Sequence, residues 1–222
     1  MIPRMSAPLV ADLHLHSHHS DGVLSPAALI ELCASRGVTQ AALTDHDTLE
    51  GCLEAHAACA RHDLKHVTGV EVSCGWNGQT LHVIGLEFDL EDAALERHLA
   101  DIRARRAARI ADIGERLERK ARLPGKALAA KILARDAVPT RMHLARELVA
   151  AGHANDVGDA FARWLTRGRA GHAPIEWPTL GDTVARLRGA GARVVLAHPH
   201  RYELSAGALR RLLGEFRAAG GE

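Results

Sequence analysis

Residues 11–22 read ADLHLHSHHSDG, and the prediction of the whole fold is organised around this stretch. It follows the apolar run 7–10, which indicates a buried strand, predicted over residues 8–16, that ends in polar side chains. Four of its twelve residues are histidine and two are aspartate. Histidine is the commonest metal ligand among the side chains, so the end of this strand is a candidate for metal binding.

The composition limits the class of protein. The chain has 222 residues, of which 47% are apolar and 3% aromatic, and its formal net charge is +1. This length allows one sizeable domain with an aliphatic core, and the charge does not indicate long duplex nucleic acid as a partner. No apolar segment reaches the roughly 18 residues that span a membrane, and no signal peptide is visible. With four cysteines and no C-x-x-C pair, we expect reduced thiols and a cytoplasmic location.

Strand and helix signals alternate at both ends of the chain. Further strands are predicted at 40–46, 65–74, 80–88 and 192–198, and helices at 25–37, 48–61, 180–189 and 205–219. Asn77-Gly78 predicts a hairpin turn. Residues 91–171 instead show helical periodicity without a strand. We therefore expect an α/β fold with a mainly parallel sheet or barrel, formed by residues 1–90 and 172–222 and interrupted by an all-helical insertion at 91–171.

Polar residues recur where the predicted strands end. Such folds keep their chemistry at the carboxyl ends of the strands, so these residues are expected to meet at one face. The residues are His14, His16, Asp21, Asp45, His46, Asp47, Glu71, His82 and His198. Because side chains two apart on a strand point to the same side, His14 and His16 are placed to reach one metal ion.

Each of these residues alone also has an ordinary structural explanation. A His-x-His pair on a strand is often incidental, the acidic residues around His46 suit a helix cap, and His198 suits a plain strand terminus. Glu71 is harder to explain, since a buried unpaired carboxylate is costly. The joint occurrence favours a metal site for Zn, Mn or Fe, and a bridging Glu71 would suit paired ions about 3.5–4 Å apart, as used in phosphoester hydrolysis.

Six segments resemble the PHP family, the polymerase and histidinol phosphatase superfamily of phosphoesterases. They are DLHLHS (12–17), SDG (20–22), LTDHD (43–47), GVEVS (69–73), LHVIG (81–85) and AHPHRY (197–202). The resemblance implies a distorted (βα)7 TIM-like barrel that holds two or three divalent ions. A late Asp-x-His motif of the family is absent from the printed sequence. We therefore expect the C-terminal strand or strands of the barrel to be missing from this chain, which would be part of a longer one.

The resemblance also implies individual roles. His14 and His16 would bind one ion, which Glu71 bridges to another. Asp21 and His46 would bind a second ion, and His82 and His198 a third together with Glu71. Asp45 would orient a ligand histidine from outside the coordination sphere.

The members that this chain most resembles hydrolyse nucleoside 3′,5′-bisphosphates and in some cases trim short RNA from its 5′ end. A small phosphorylated nucleotide or a short oligoribonucleotide is therefore the expected partner. His200 stands where the family motif usually has glycine. The alternatives are a histidinol-phosphate phosphatase, a metal- or nucleotide-binding module without turnover, and a structural zinc protein.

The insertion carries candidate substrate-binding residues. Arg106 falls in an apolar stripe of a helix predicted over about 91–120, formed with Leu95, Leu99, Ile102, Ile110, Ile113 and Leu117. An inward arginine needs an anion, which would be a substrate phosphate. The alternative is a salt bridge to a nearby carboxylate, or a side chain that extends to solvent. Arg109, Arg141, His143 and Arg201 are further candidates for contact with substrate.

Overall fold

The computed structural model describes residues 9–222, and they form an α/β fold. The strands are β1 (Ala11–Leu15), β2 (Gln40–Leu43), β3 (Lys65–His66), β4 (Gly69–Trp76), β5 (Gln79–Leu86) and β6 (Arg193–Leu196). The α-helices are α1 (Pro26–Ser35), α2 (Cys52–Arg61), α3 (Ala93–Ala121), α4 (Gly125–Leu133), α5 (Arg141–Ala150), α6 (Val157–Ala160), α7 (Leu180–Gly189) and α8 (Ala206–Ala218). A π-helical turn spans Phe161–Leu165, and a 3-10 turn spans Pro199–Arg201. None of the described helices has the length and apolarity needed to cross a bilayer.

The strands form two three-stranded sheets that meet at one bridge. The first sheet has the order β1-β2-β3 and is parallel, whereas the second has the order β4-β5-β6 and is antiparallel. A parallel bridge between His46 and Glu71 joins them, with the amide of Asp47 donating to the carbonyl of Glu71 at 3.0 Å. Neither β1 nor β6 has a neighbouring strand on its outer edge among residues 9–222, although the amide of Glu222 donates to the carbonyl of Val194 in β6 at 2.9 Å. These six strands therefore do not by themselves close the (βα)7 barrel that the resemblance implies.

Two local predictions from turn and cap chemistry are confirmed. Ser25 caps α1, accepting a hydrogen bond from the amide of Ala28 at 3.2 Å. Asn77 and Gly78 connect β4 to β5 with φ angles of 47° and 74°. Two consecutive positive φ angles make a type I′ turn, which matches the twist of a hairpin.

Other element boundaries were predicted wrongly. The first strand begins at Ala11 rather than at residue 8, which itself lies outside the described residues. The strand predicted over 65–74 is two strands, because the chain pairs with β2 at Lys65–His66 and then enters the second sheet. The second helix begins at Cys52 instead of Thr48, and its N-cap is Gly51 without a side-chain cap. The helix cap suggested for the acidic residues around His46 is therefore absent.

Helix α3 links two separate cores. Its first half packs against the second sheet and helices α7 and α8, through Leu95, Leu99 and Ile102. Its second half packs against α4, α5 and α6, through Ile110, Ile113 and Leu117. Arg106 lies between these halves and is 8% exposed. The stripe predicted from the sequence is thus buried along its length, with a cation at the junction of the two cores.

Candidate metal centre and substrate cavity

The carboxylate of Glu71 lies at the centre of the site. This residue is in the third position of β4 and is 1% exposed. Burial raises the pKa of the Glu71 carboxyl, but hydrogen bonds from the surrounding imidazoles outweigh burial and hold its pKa far below the ordinary value. The side chain is therefore ionised, and a buried carboxylate requires compensating positive charge.

Five imidazoles surround this carboxylate. Oε1 of Glu71 lies 3.2 Å from Nε2 of His14, 3.4 Å from Nδ1 of His82 and 3.1 Å from Nε2 of His198. Oε2 lies 3.0 Å from Nε2 of His16 and 3.2 Å from Nδ1 of His46. The histidines come from β1, β5 and the segments that follow β1, β2 and β6. Separate parts of the chain therefore converge on one carboxylate.

This donor set fits divalent metal ions. A carboxylate has about four lone-pair positions, fewer than five imidazoles would need as donors. Nδ1 of His46 and Nδ1 of His82 are buried without a hydrogen-bond partner among residues 9–222, although both lie within 3.4 Å of Glu71. Burial lowers the pKa of His46, so its ring is neutral. An unprotonated imidazole nitrogen and an ionised carboxylate both carry lone pairs, which repel each other at short distance. A metal cation bound between the nitrogen and the carboxylate would remove this repulsion.

Three groups of donors have all their ligand atoms within 4.8 Å of one another. They are His14, His16 and Glu71; His16, Asp21 and His46; and His46, Glu71 and His82. The first two groups contain pairings that the resemblance implies. The third joins His82 to His46, whereas the resemblance pairs His82 with His198. His198 approaches Glu71 from a backbone with φ of 32°, at the start of the 3-10 turn.

Asp21 is brought to the cluster by a loop that folds back on β1. Its Oδ1 lies 3.4 Å from Nδ1 of His16, and its Oδ2 lies 3.6 Å from Nε2 of His46. The amide of Gly22 donates to the carbonyl of Ser17 at 2.9 Å. A Cβ atom at Gly22 would lie 2.1 Å from the carbonyl oxygen of His16, so this close approach requires glycine.

Asp45 acts on the cluster less directly than the resemblance implies. Its carboxylate is 2% exposed and accepts hydrogen bonds from the amide of Ser17 at 2.7 Å and the hydroxyl of Ser20 at 2.5 Å. The Ser20 hydroxyl lies 3.3 Å from Nδ1 of His16. Asp45 therefore does not contact a histidine of the cluster itself, but it holds the serine that orients His16.

Arg106 forms the salt bridge that the sequence left as an alternative. Its Nε donates to Oδ2 of Asp47 at 2.5 Å, and its Nη2 donates to the hydroxyl of Ser73 at 2.7 Å. Asp47 is fully buried, with φ of 54°, and also accepts from the amide of Ser73 at 2.7 Å. The pair ties the middle of α3 to the sheet beside Glu71.

A cavity of about 210 Å³ opens beside the cluster. Four cluster residues line it: Asp21, His46, His82 and His198. Three arginines line it as well: Arg106, Arg109 and Arg141. The other lining residues are Thr80, Ile110, Pro139, Thr140, Met142, Phe161, Trp177 and Tyr202. This central cavity therefore combines a metal-binding wall, a cationic group and apolar surface.

Arg109 and Arg141, the other two arginines that line the cavity, both have lowered pKa values. Burial, with the charges of Arg141 and Arg106, lowers the pKa of Arg109 to about 9. Burial and Arg106 also lower the pKa of Arg141. Neither Arg109 nor Arg141 forms an ion pair with a carboxylate among the described residues; Nε of Arg109 donates only to the carbonyl of Ala173, at 3.2 Å. An anion in the central cavity would stabilise both guanidinium groups.

Two sequence candidates lie away from this cavity. His143 is 4% exposed and belongs to the cap of α5, where its Nδ1 accepts from the amide of Thr140 at 3.2 Å. This buried contact occupies Nδ1 of the ring, and the substrate role of His143 stays a prediction. Arg201 is exposed at the end of the 3-10 turn and does not line the central cavity.

Several residues of the site escaped the prediction. Ser73 and Tyr202 lie within the segments that resemble the family, but only their neighbours were selected. The Tyr202 hydroxyl accepts from the amide of His82 at 2.9 Å and so fixes the backbone of a cluster residue. Trp177 follows the helical insertion and packs against Arg106, whose Cζ lies 5.4 Å from the ring centroid. No local pattern in the sequence marks this contact, because it joins residues 71 positions apart.

A histidine and carboxylate cluster at strand ends, beside buried arginines, fits the class of metal-dependent phosphoesterases. A family model described as PHP domain matches residues 12–97. A 5′-3′ exoribonuclease of Haemophilus influenzae is 39% identical over 95% of this chain and 76% of its own length. A 3′,5′-nucleoside bisphosphate phosphatase of Chromobacterium violaceum is 38% identical over 95% and 74%. The chain belongs to the PHP family.

A solved structure shares the fold closely. It is described as an amidohydrolase from Chromobacterium violaceum with bound sulfate and no metal. It superposes with a TM-score of 0.90 at 39% identity, over 96% of this chain and 75% of that one.

Proposed function

We propose that the chain removes the 3′-phosphate of nucleoside 3′,5′-bisphosphates. The observation that supports this most is that the metal-binding cluster and three arginines line a single cavity. A substrate with two phosphates needs two anion-binding regions, and this cavity has two. The relative from Chromobacterium violaceum is named for this substrate.

The metal ions would be held by seven residues. These are His14, His16, Asp21, His46, Glu71, His82 and His198. The donors suit Mn, Zn or Fe, and the resemblance supports two or three ions. When bound, such ions polarise phosphoryl oxygens and acidify water. The chain itself orients the donors, through the hydrogen bond of Ser20 to His16 and that of Tyr202 to the backbone of His82.

The arginines would hold the phosphate that is not hydrolysed. Arg109 and Arg141 lack carboxylate partners among the described residues, so a phosphate dianion would neutralise them and accept bidentate hydrogen bonds. Arg106 is already paired with Asp47, and its Nη1 has no hydrogen-bond partner among residues 9–222. Anchoring the 5′-phosphate here would leave the 3′-phosphate beside Glu71. We also propose that residues 91–171 act as a substrate-binding lid over the remainder of the chain, residues 1–90 and 172–222, which would form part of a distorted (βα)7 barrel.

The arginines also disfavour the nearest alternative. Histidinol phosphate carries a cationic amine, which Arg106, Arg109 and Arg141 would repel. A module without turnover would bind the bisphosphate and release no product.

Trimming of short RNA is a second activity that we propose for the same site, because a relative is named as a 5′-3′ exoribonuclease. A cytoplasmic location stays a prediction.

Phosphate release with Mn²⁺ tests this proposal. The substrates are adenosine 3′,5′-bisphosphate, adenosine 3′-monophosphate and histidinol phosphate. We expect the bisphosphate to react with the highest kcat/KM. Arg141→Met should raise KM for the bisphosphate by about 10–100-fold, since a charge-assisted hydrogen bond contributes about 1.5–3 kcal/mol, and should affect the monophosphate less.

The matched control is Arg119→Met. Arg119 also lies on α3 but is exposed, and its side chain has no hydrogen-bond partner among the described residues, so its loss should leave both KM values unchanged. Equal effects of Arg141→Met on the bisphosphate and the monophosphate would contradict an anchoring role for the arginines. Failure to release phosphate from any substrate would contradict the proposed function.

A further inference from the structure

A second cavity, of about 380 Å³, adjoins the central cavity. Thr80 and Trp177 line both, so the two cavities share a boundary. The second cavity is further lined by Asn77, Gln79 and Ile175. It lies at the hairpin end of β4 and β5, where the chain returns from the helical insertion.

The boundary between the cavities is fixed by backbone contacts. The amide of Gly75 donates to the carbonyl of Pro178 at 2.8 Å, and Gly75 forms a parallel bridge with Thr179. The indole Nε1 of Trp177 donates to the hydroxyl of Thr80 at 2.9 Å. Trp177 is therefore held in place at the boundary, with the guanidinium of Arg106 over its ring, 5.4 Å from the centroid.

The chemistry of the second cavity differs from that of the first. No lysine or arginine lines it, and Glu176 does, so it is not built for phosphate. The half-buried Trp177 supplies aromatic surface at the boundary, while Asn77 and Gln79 supply amide donors and acceptors. Aromatic surface with amides at the rim suits a nucleobase, which stacks on an indole and forms hydrogen bonds at its edge.

The second cavity also lies in the direction that a longer substrate would take. Thr80 and His82 are two residues apart on β5, so their side chains lie on one face, about 6–7 Å apart along the strand. The distance along β5 from His82, in the histidine and carboxylate cluster, to Thr80, at the boundary with the second cavity, is thus two residues. The arginines that would anchor the 5′-phosphate line the central cavity only.

We propose that the second cavity binds the second nucleoside of a short 5′-phosphorylated oligonucleotide. This rests on the proposed function. In trimming, water adds to phosphorus and the bond to the 3′-oxygen of the first nucleotide breaks. That oxygen takes up a proton, and the phosphate stays on the 5′-oxygen of the second nucleoside. The second nucleoside is therefore attached to the reacting phosphate and must lie next to the cluster.

Equilibrium binding provides a test that does not need turnover. The probe is a 5′-phosphorylated trinucleotide with 2-aminopurine as its second base, titrated without added metal. Stacking on Trp177 should quench its fluorescence. Ile175→Glu introduces a charge into the second cavity and should weaken trinucleotide binding about tenfold relative to adenosine 3′,5′-bisphosphate, the cost of about one lost base stack.

Two further variants make the result specific. Leu53→Glu carries the same change on α2, where Leu53 is 73% exposed, and should not alter the ratio of the two affinities. Asn77→Gly keeps the positive φ of the turn and should weaken only the trinucleotide, by roughly 2–10-fold for one lost hydrogen bond. This variant preserves the test if Ile175→Glu does not fold.

The outcomes separate this inference from the proposed function. An unquenched second base, or an affinity ratio unchanged by both Ile175→Glu and Asn77→Gly, would overturn the second-nucleoside site. Phosphate release from the bisphosphate is measured independently on the parent chain. A chain that releases none but shows the predicted ratios would retain this binding site and lose the proposed reaction.

Discussion

The buried ion pair between Asp47 and Arg106 joins the helical segment to the sheet, and its removal has a calculable cost. The side chains are 0% and 9% exposed. Asp47→Asn keeps the side-chain shape and the φ of 54°, which asparagine tolerates. It leaves the guanidinium charged and buried, with Ser73 as its remaining partner. We expect a loss of about 3–5 kcal/mol in the free energy of unfolding, which lowers Tm by about 6–20 °C in a chain of this size.

Replacing the other partner of the ion pair, Arg106, should lower the free energy of unfolding by less than Asp47→Asn does. Arg106→Met leaves the Asp47 carboxylate with two hydrogen bonds from Ser73, so its expected cost is about 1–3 kcal/mol. The double variant should be more stable than Asp47→Asn alone, because no unpaired charge remains. The assay is urea unfolding followed by circular dichroism in the presence of a chelator, so that metal binding does not contribute.

An exposed pair one turn away supplies the control. Asp101 and Arg105 lie on the same helix, 53% and 41% exposed. Asp101→Asn should therefore change the free energy of unfolding by less than about 1 kcal/mol. A loss of stability from Asp47→Asn no larger than that from Asp101→Asn, or simple additivity of Asp47→Asn and Arg106→Met, would contradict a buried charge that depends on its partner.

Three further predictions concern other parts of the molecule. Glu71→Gln should weaken Mn²⁺ binding, measured by calorimetry, by more than about a hundredfold, since even groups outside the coordination sphere contribute 10–100-fold; near-parental affinity would exclude Glu71 as a ligand. His143→Ala should remove a contact of the Thr140 cap and cost about 0.5–2 kcal/mol in urea unfolding without changing KM, whereas a raised KM would restore a substrate role. Burial raises the pKa of Cys52 and of Cys74 to about 12, so both thiols should resist a thiol reagent at pH 8. Because these thiols stay protonated when folded but ionise near pH 9 when unfolded, the free energy of unfolding should fall as pH rises above about 9.

Local chemistry explains which parts of the fold were predictable. The hairpin at Asn77-Gly78 and the start of α1 at Ser25 depend on neighbouring residues only, and both are found where the sequence indicates. The start of α2 was misplaced because Asp47 looks like a cap in the sequence. In the folded chain its carboxylate is occupied by Ser73 and Arg106, which no local rule anticipates.

The apolar strand over 65–74 shows a second limit. Its hydrophobic pattern is continuous, but Lys65–His66 pairs with β2, and the segment from Gly69 onward pairs with β5. Partner choice between sheets depends on the position of other strands, not on the pattern within one segment. The same reason explains why strand alternation predicted the α/β class but not the arrangement as two linked sheets.

The residue pattern was sufficient to predict which donors could form the site and where along the chain they occur, because side chains at the carboxyl ends of the strands lie together in an α/β fold. It also predicted the buried stripe of α3, since helical periodicity is a local property. The partner of each charged group, in contrast, is set by the packed fold and could not be predicted from local patterns. Arg106 is neutralised by Asp47, His143 is held by Thr140, and Arg109 with Arg141 is left facing the central cavity. Pairing of charges depends on distances across the fold, and these are set by packing between segments that are remote in the chain.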